Sequence, residues 1–279
     1  FRYHVATIVA TFMALGVGMI IGSSHLQKAH APPLRPLIRD LNNRFTNEIQ
    51  TLRKDNEEKA KAIQILTTRL TRHALDNTRV AIVVTGDYGD AAQTAAGALR
   101  DAGAIVESTT VFPPSFPVRL EIGLPSLAPT LRQRADEPVD GRAALFRTIA
   151  TIIARGGQSE EMKKLTDANL IEASGDYRRR VSAVVLIGGG ADTTDKRWLS
   201  VDYPLIEQLD QIGTTVIGAE PTGAVLSYIP AYQAKGLSTV DNVDTEIGRT
   251  CLVLLLRGDK GSYGTKPTAR DGLLPLGAD

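Results

Sequence analysis

The sequence predicts an α/β protein in three parts: an N-terminal transmembrane helix, a long coiled-coil helix, and a mostly parallel sheet flanked by helices. Three observations carry that prediction. Val5 to Ser24 contains no Asp, Glu, Lys or Arg; residues 37–85 contain neither Gly nor Pro and bear a seven-residue apolar repeat; from Arg79 on, short β-branched runs alternate with helical patterns. The boundaries read from the sequence are 1–25 for the anchor, 26–36 for a Pro-rich break, 37–77 for a coiled-coil stalk, 78–265 for an α/β domain and 266–279 for a flexible C-terminal tail.

Val5–Ser24, "VATIVATFMALGVGMIIGSS", rises about 30 Å as a helix, the hydrocarbon thickness of a bilayer. A signal-peptide apolar region is shorter, about 7–15 residues, and Pro32 follows the cleavage-like Ala29-His-Ala31 directly. A core helix needs a polar face, and this one offers Thr7, Thr11 and two terminal serines. The segment reads as a membrane anchor, with an uncleaved signal and a core helix as alternatives. Thr7, Thr11, Ala14, Gly18 and Gly22 line one side, and Gly18 with Gly22 forms a GxxxG that lets two backbones approach in lipid. Arg2 before the span and Lys28, Arg35 and Arg39 after it favour neither orientation.

Pro32, Pro33 and Pro36 should stop the anchor helix. Beyond them Phe45, Leu52, Lys59, Leu66 and His73 recur every seven residues, and Ile49, Asn56, Ile63 and Leu70 form a second series offset by four. Glu48, Arg53, Glu57, Glu58, Lys61 and Arg69 flank this seam, the pattern of a coiled coil. Asn56 stands where a polar residue fixes register in a two-stranded coil. The alternative is an amphipathic helix folded back on its own domain. Anchor and stalk agree on a homodimer, parallel because both anchors enter one membrane. Its predicted interface is Gly18, Gly22, Phe45, Ile49, Leu52, Asn56, Ile63, Leu66 and Leu70.

The α/β domain opens at "RVAIVVTG", a buried-strand pattern over residues 79–85. Further strand-like runs are "AIVESTTV", "LIEAS", "VSAVVLIGGG" and "GTTVIGAE", and helical patterns occupy 141–155, 158–168, 202–212 and 242–256. Alternating strands and helices imply a mostly parallel, Rossmann-like sheet. Between them, "FPPSFPVRLEIGLPSLAPTL" reads as a surface excursion: an ordered connection, a lid or a partner surface.

The chemistry expected of such a sheet is missing from its sequence. Asp87 and Asp90 in "TGDYGDAAQ" would repel a pyrophosphate, and neither a P-loop nor a G-x-S-x-G elbow occurs. Gly188–Gly190 reads as a tight turn. All four histidines precede the domain, which argues against Ser-His or Cys-His catalysis. The single Cys251 excludes an intramolecular disulfide, and a formal net charge of +1 gives no reason to propose nucleic acid. In "STVDNVDTEIGR", Asp241 or Asn242 should cap the last helix, with Asp244 and Glu246 in its first turn. Asp241, Asp244 and Glu246 are also the candidate hard-cation ligands; no catalytic residue and no cofactor is predicted.

Four segments carry a resemblance. "FRYHVATIVATFMALGVGMIIGSS", "LRDAGAIVESTTV", "STVDNVDTEIGR" and "GSYGTK" resemble, in the same order, the actinobacterial copper-transporter (MctB) family. The resemblance implies a single-pass cell-membrane protein with a coiled coil and an extracytoplasmic α/β domain. It also implies either copper efflux through a pore-forming envelope protein or, as in corynebacterial relatives, pairing with a second membrane protein in envelope or septum assembly. The residues themselves do not point to copper, which prefers Cys, Met and imidazole. Met13 and Met19 lie on different helix faces, as do His25 and His30, and Met162 falls in the domain. Two functions are therefore expected: a non-catalytic, dimeric interaction protein meeting an envelope partner, or a copper-export component known by resemblance alone.

Overall fold

A computed structural model describes residues 2–26, 34–121, 141–157 and 159–275. The chain divides into two units, Phe1–Ala60 and Lys61–Asp279.

In the first unit, helix α1 (Arg2–Leu26) is apolar all round, so no face is marked for a protein core. Its stretch His4–Gly22 is long and apolar enough to cross a membrane, and none of it is buried. Thr11 returns its hydroxyl to Thr7 O at 2.7 Å, which removes one polar group from the helix surface. Helix α2 (Leu34–Thr71) is a single 38-residue helix, about 57 Å long. It starts before Pro36, so that proline lies in its first turn, where a missing N–H costs nothing. Left-handed backbone at His73 (φ 62°) and Asn77 (φ 65°) follows its end at Thr71, six residues short of the expected stalk. Phe45, Ile49, Leu52, Ile63, Leu66 and Leu70 are exposed along it.

The second unit is built on a seven-stranded sheet in the order β3-β2-β1-β4-β5-β6-β7. The strands are β1 (Arg79–Val84), β2 (Ile105–Val111), β3 (Glu172–Gly175), β4 (Ala183–Ile187), β5 (Thr215–Ala219), β6 (Ser238–Val240) and β7 (Ser262–Tyr263). All neighbours run parallel except β2 and β3. Alternation divides the core between two faces. Ala81, Val83, Val184 and Leu186 pack with α4 (Gly141–Arg155), α5 (Ser159–Asp167), α6 (Tyr203–Ile212) and α7 (Ile229–Ala234). Val80, Ile82, Val84, Val185 and Ile187 pack with α3 (Gly89–Asp101) and α8 (Glu246–Arg257).

Three expectations change. The last helix is capped by Thr245, whose hydroxyl accepts from Gly248 N at 3.0 Å, and not by Asp241 or Asn242. The Pro-rich excursion begins inside the core: Phe112, Phe116 and Leu120 are buried, and Phe116 meets Phe146 edge-on at 6.0 Å. Its continuation over 122–140 lies outside the described residues. The packed chain also runs past 265, since Lys266 and Thr268 are hydrogen-bonded to Asp241 and Pro275 is buried.

Candidate functional site

The sheet changes its direction of growth between β1 and β4, and the carboxyl ends of strands at such a point form the usual ligand crevice of an open α/β sheet. Here the two turns leaving those strands lie against each other. Gly86 N donates to Ile187 O at 3.2 Å and Asp87 N to Gly189 O at 3.0 Å. A side chain on Gly86 would strike the backbone of Gly188 and Gly189, so glycine is required by the contact.

Side chains fill the space above. The Tyr88 hydroxyl donates to Gly223 O at 3.0 Å and accepts from Val225 N at 3.2 Å. Arg197 is 6% exposed and pairs with both Asp87 and Asp195, while Tyr228 donates to Asp195 Oδ2 at 2.6 Å. Burial opposes these charges, but the mutual hydrogen bonds outweigh it, holding the Asp195 carboxyl below its usual range and Arg197 charged. Beneath them Tyr232 donates to Asp202 Oδ2 at 2.7 Å. Asp202 is fully buried, and burial pushes its carboxyl up to about 7 despite the hydrogen bond from Tyr232 and the nearby Arg197. A π-helix, Trp198–Asp202, delivers this carboxyl at the start of α6. The rings of Tyr228 and Tyr232 occupy the room left by the missing side chain of Gly188.

A second polar knot closes the next strand ends. Glu220 is fully buried; its Oε2 accepts from Tyr228 N at 2.9 Å and its Oε1 from Lys266 Nζ at 2.7 Å. Asp241, also buried, accepts from Thr265 N at 2.8 Å, Lys266 N at 3.2 Å and Thr268 Oγ1 at 2.8 Å. Asp244 accepts from Thr222 N at 2.7 Å and its hydroxyl at 2.9 Å, and Glu246 pairs with Arg249. The three predicted cation ligands thus serve three separate contacts. Among the described residues no group of three or more His, Cys, Asp or Glu is assembled to hold a metal.

Donors suited to copper are equally scattered. Met13 and Met19 are exposed on α1, Met162 is buried in the domain core, and His73 Nδ1 faces Asp76 at 3.1 Å. His30 lies outside the described residues. Cys251 is buried, and burial pushes its thiol up to about 12, which disfavours the thiolate a metal would need.

Open depressions mark the surface of the folded unit. One of about 330 Å³ is bordered by Asp87, Tyr88, Asp90, Thr94, Pro221 and Asp244. Another of about 500 Å³ runs between Gln64–Arg72, α3 and α8, and polar threonines and arginines line much of it. The predicted interface residues Gly18 and Gly22 lie on α1, and Phe45 through Leu70 on α2. Sequence reasoning missed Arg197, Asp195 and Asp202, each of which has a partner 110, 33 or 30 positions away, beyond any local pattern.

Compared with known proteins, residues 1–274 match the family model described as copper transport outer membrane protein, MctB. No curated protein matches the chain.

Proposed function

Because the chain belongs to the MctB family, we propose that it serves copper transport in the cell envelope as a single-pass, dimeric, non-catalytic protein presenting its α/β domain to a membrane-protein partner outside the cytoplasm. The observation that carries this reading is the filled crevice. Where an α/β sheet normally admits a ligand, Tyr88, Arg197, Tyr228 and Tyr232 fill the space, bonded to backbone and to Asp87, Asp195 and Asp202. The domain is then left with its outer surfaces for recognition. Catalysis would need a nucleophile and a base within reach of each other and of a substrate, and the buried acids Glu220 and Asp241 are engaged in hydrogen bonds that hold loops.

The anchor reading draws support from α1, unburied and apolar over a membrane's width. The dimer draws support from α2. Ile49, Ile63 and Leu70 alternate with Leu52 and Leu66 at 4-3 spacing, all exposed in the single chain. Burying a Leu or Ile side chain contributes about 1.5–3 kcal/mol, and Ile49 and Ile63 in the Asn56 series with Leu52 and Leu66 in the other favour two parallel strands.

A second reading, the chain itself as the copper-efflux channel, rests on the family description. A single span per chain cannot line a pore without several copies, so this reading requires a larger assembly in the membrane.

The test is the copper, zinc and manganese content of cells lacking the gene after copper exposure. Copper alone should rise, and return on complementation with the full chain. Unchanged metals, or all three rising together, would contradict a role in copper transport.

A further inference from the structure

Among the described residues three acids have no exposed surface: Asp202, Glu220 and Asp241. Glu220 meets the ammonium group of Lys266, and Asp241 accepts from Thr265 N, Lys266 N and the Thr268 hydroxyl. Asp202 receives the Tyr232 hydroxyl at 2.7 Å, and its other oxygen, Oδ1, is buried without a partner. The neighbouring Thr85 hydroxyl and Arg197 Nη1 are buried without partners as well. A protonated carboxyl fits this setting: one oxygen accepts from Tyr232, and the other has a proton to give. A carboxylate removed from water would need more donors than Tyr232 and Thr85 supply.

The chain segments that hold Asp202 are joined by few ties, most of them polar. Loop 190–197 leads into the π-helix that carries Asp202, and loop 222–228 leads into α7, which carries Tyr232. Gly190 N donates to Leu226 O and Leu226 N to Gly190 O, each at 2.9 Å. Tyr228 donates to Asp195, and Arg197 pairs with Asp195 and with Asp87 beyond β1. The Tyr228 and Tyr232 rings meet edge-on at 6.3 Å. Five of the six residues 191–196 are exposed. A segment held in this way opens at lower free energy than the strands beneath it.

We propose that loops 190–197 and 222–228 form a proton-gated latch on the crevice, shut tightest while Asp202 keeps its proton and opening more often once that carboxyl ionises. Ionisation places a charge where burial penalises it, and opening lets water reach it. In the shut state burial raises the release of this proton to about 7, against about 4 for a solvated carboxyl. The open population therefore grows about tenfold per pH unit between those values and levels off above. The groups facing Asp202 hold their charge across that window. Tyr228 and Tyr232 are raised by burial and stay protonated, Arg197 stays charged, and its hydrogen bonds hold Asp195 below the usual range. Asp87 pairs with Arg197 and Glu220 with Lys266, and all four histidines of the chain precede the sheet. Asp202 is thus the gate.

The test is amide hydrogen exchange of the full chain in detergent micelles, read by mass spectrometry from about pH 5 to about pH 8. Reclosing must outpace exchange, and the intrinsic chemistry is divided out with a matched unstructured peptide. Peptides covering 190–197 and 222–228 should open at lower free energy than β1 and β4. Their open fraction should grow about tenfold per pH unit up to about pH 7 and then level off. Asp202→Asn should flatten that rise. Tyr232→Phe keeps the ring beside Gly188 but removes the donor to the carboxylate, so it should carry the rise to higher pH. It decides the matter where Asp202→Asn does not fold. Loops that open only together with β1 and β4 would overturn the latch and leave Asp202 acting on the whole fold. A pH-independent open fraction, a rise that survives Asp202→Asn, or one that Tyr232→Phe leaves in place would overturn Asp202 as the gate.

Discussion

Asp202 has no exposed surface, and the folded chain holds its carboxyl at about 7 because burial penalises the charge. The unfolded chain would release that proton near the ordinary value of about 4. Between those pH values the folded state binds the extra proton, so this group lowers stability as pH rises from about 4 to 7 and adds no further slope above. Asp202→Asn removes the titration and keeps an acceptor for the Tyr232 hydroxyl. We expect a flatter stability profile across that window and a gain of a few kcal/mol at pH 8, read from urea midpoints. An unchanged slope would show that Asp202 is ionised in the fold. Sequence reasoning had no access to this residue: a lone Asp before "YPLIEQL" reads as a helix start, and only the distant Tyr232 and Arg197 reveal its setting. Asp241 was visible as part of a dense polar segment, but with the wrong role, since its partners Thr265, Lys266 and Thr268 lie beyond the helix it was expected to cap.

At the scale of elements, legibility followed length and period. Helix α4 falls on the predicted 141–155 because it is a long apolar run without Pro, buried almost continuously from Ala144 to Ala154. Strands β6 and β7, of three and two residues, and the six-residue α7 are too short to carry a period of their own. They form because neighbours hold them: β7 follows β6, and Asp241 ties the following turn to the β6 end. Two of the segments that carry the family resemblance, "STVDNVDTEIGR" and "GSYGTK", therefore meet in one clamp. Asp241→Ala should cost about 2–4 kcal/mol, since it removes several charge-assisted hydrogen bonds and leaves buried donors unpaired. Amide exchange should accelerate first at residues 262–268, in advance of β1 and β4. Uniform acceleration across the sheet would instead make the clamp part of the global core.

At the scale of the whole chain, the broad plan was legible because each part obeys a different periodicity: none in α1, seven residues in α2, and two alternating with 3.6 in the sheet unit. The reach of the folded unit past 265 was not, because "KPTARDGLLP" reads as part of a tail until Asp241 is seen to hold Thr268 and Ser262 to hold Asp271. Family membership places the chain in copper transport, yet among the described residues the copper-preferring side chains are scattered or buried. In the proposed assembly, two chains meet along α2. Cysteine cross-linking of the full chain in native membranes tests it most directly. Asn56→Cys lies in the seam and Lys54→Cys points away from it, each in a Cys251→Ala background. A paired stalk gives a disulfide-linked dimer from Asn56→Cys and monomer from Lys54→Cys. Monomer from both, or equal cross-linking from both, would contradict a paired stalk.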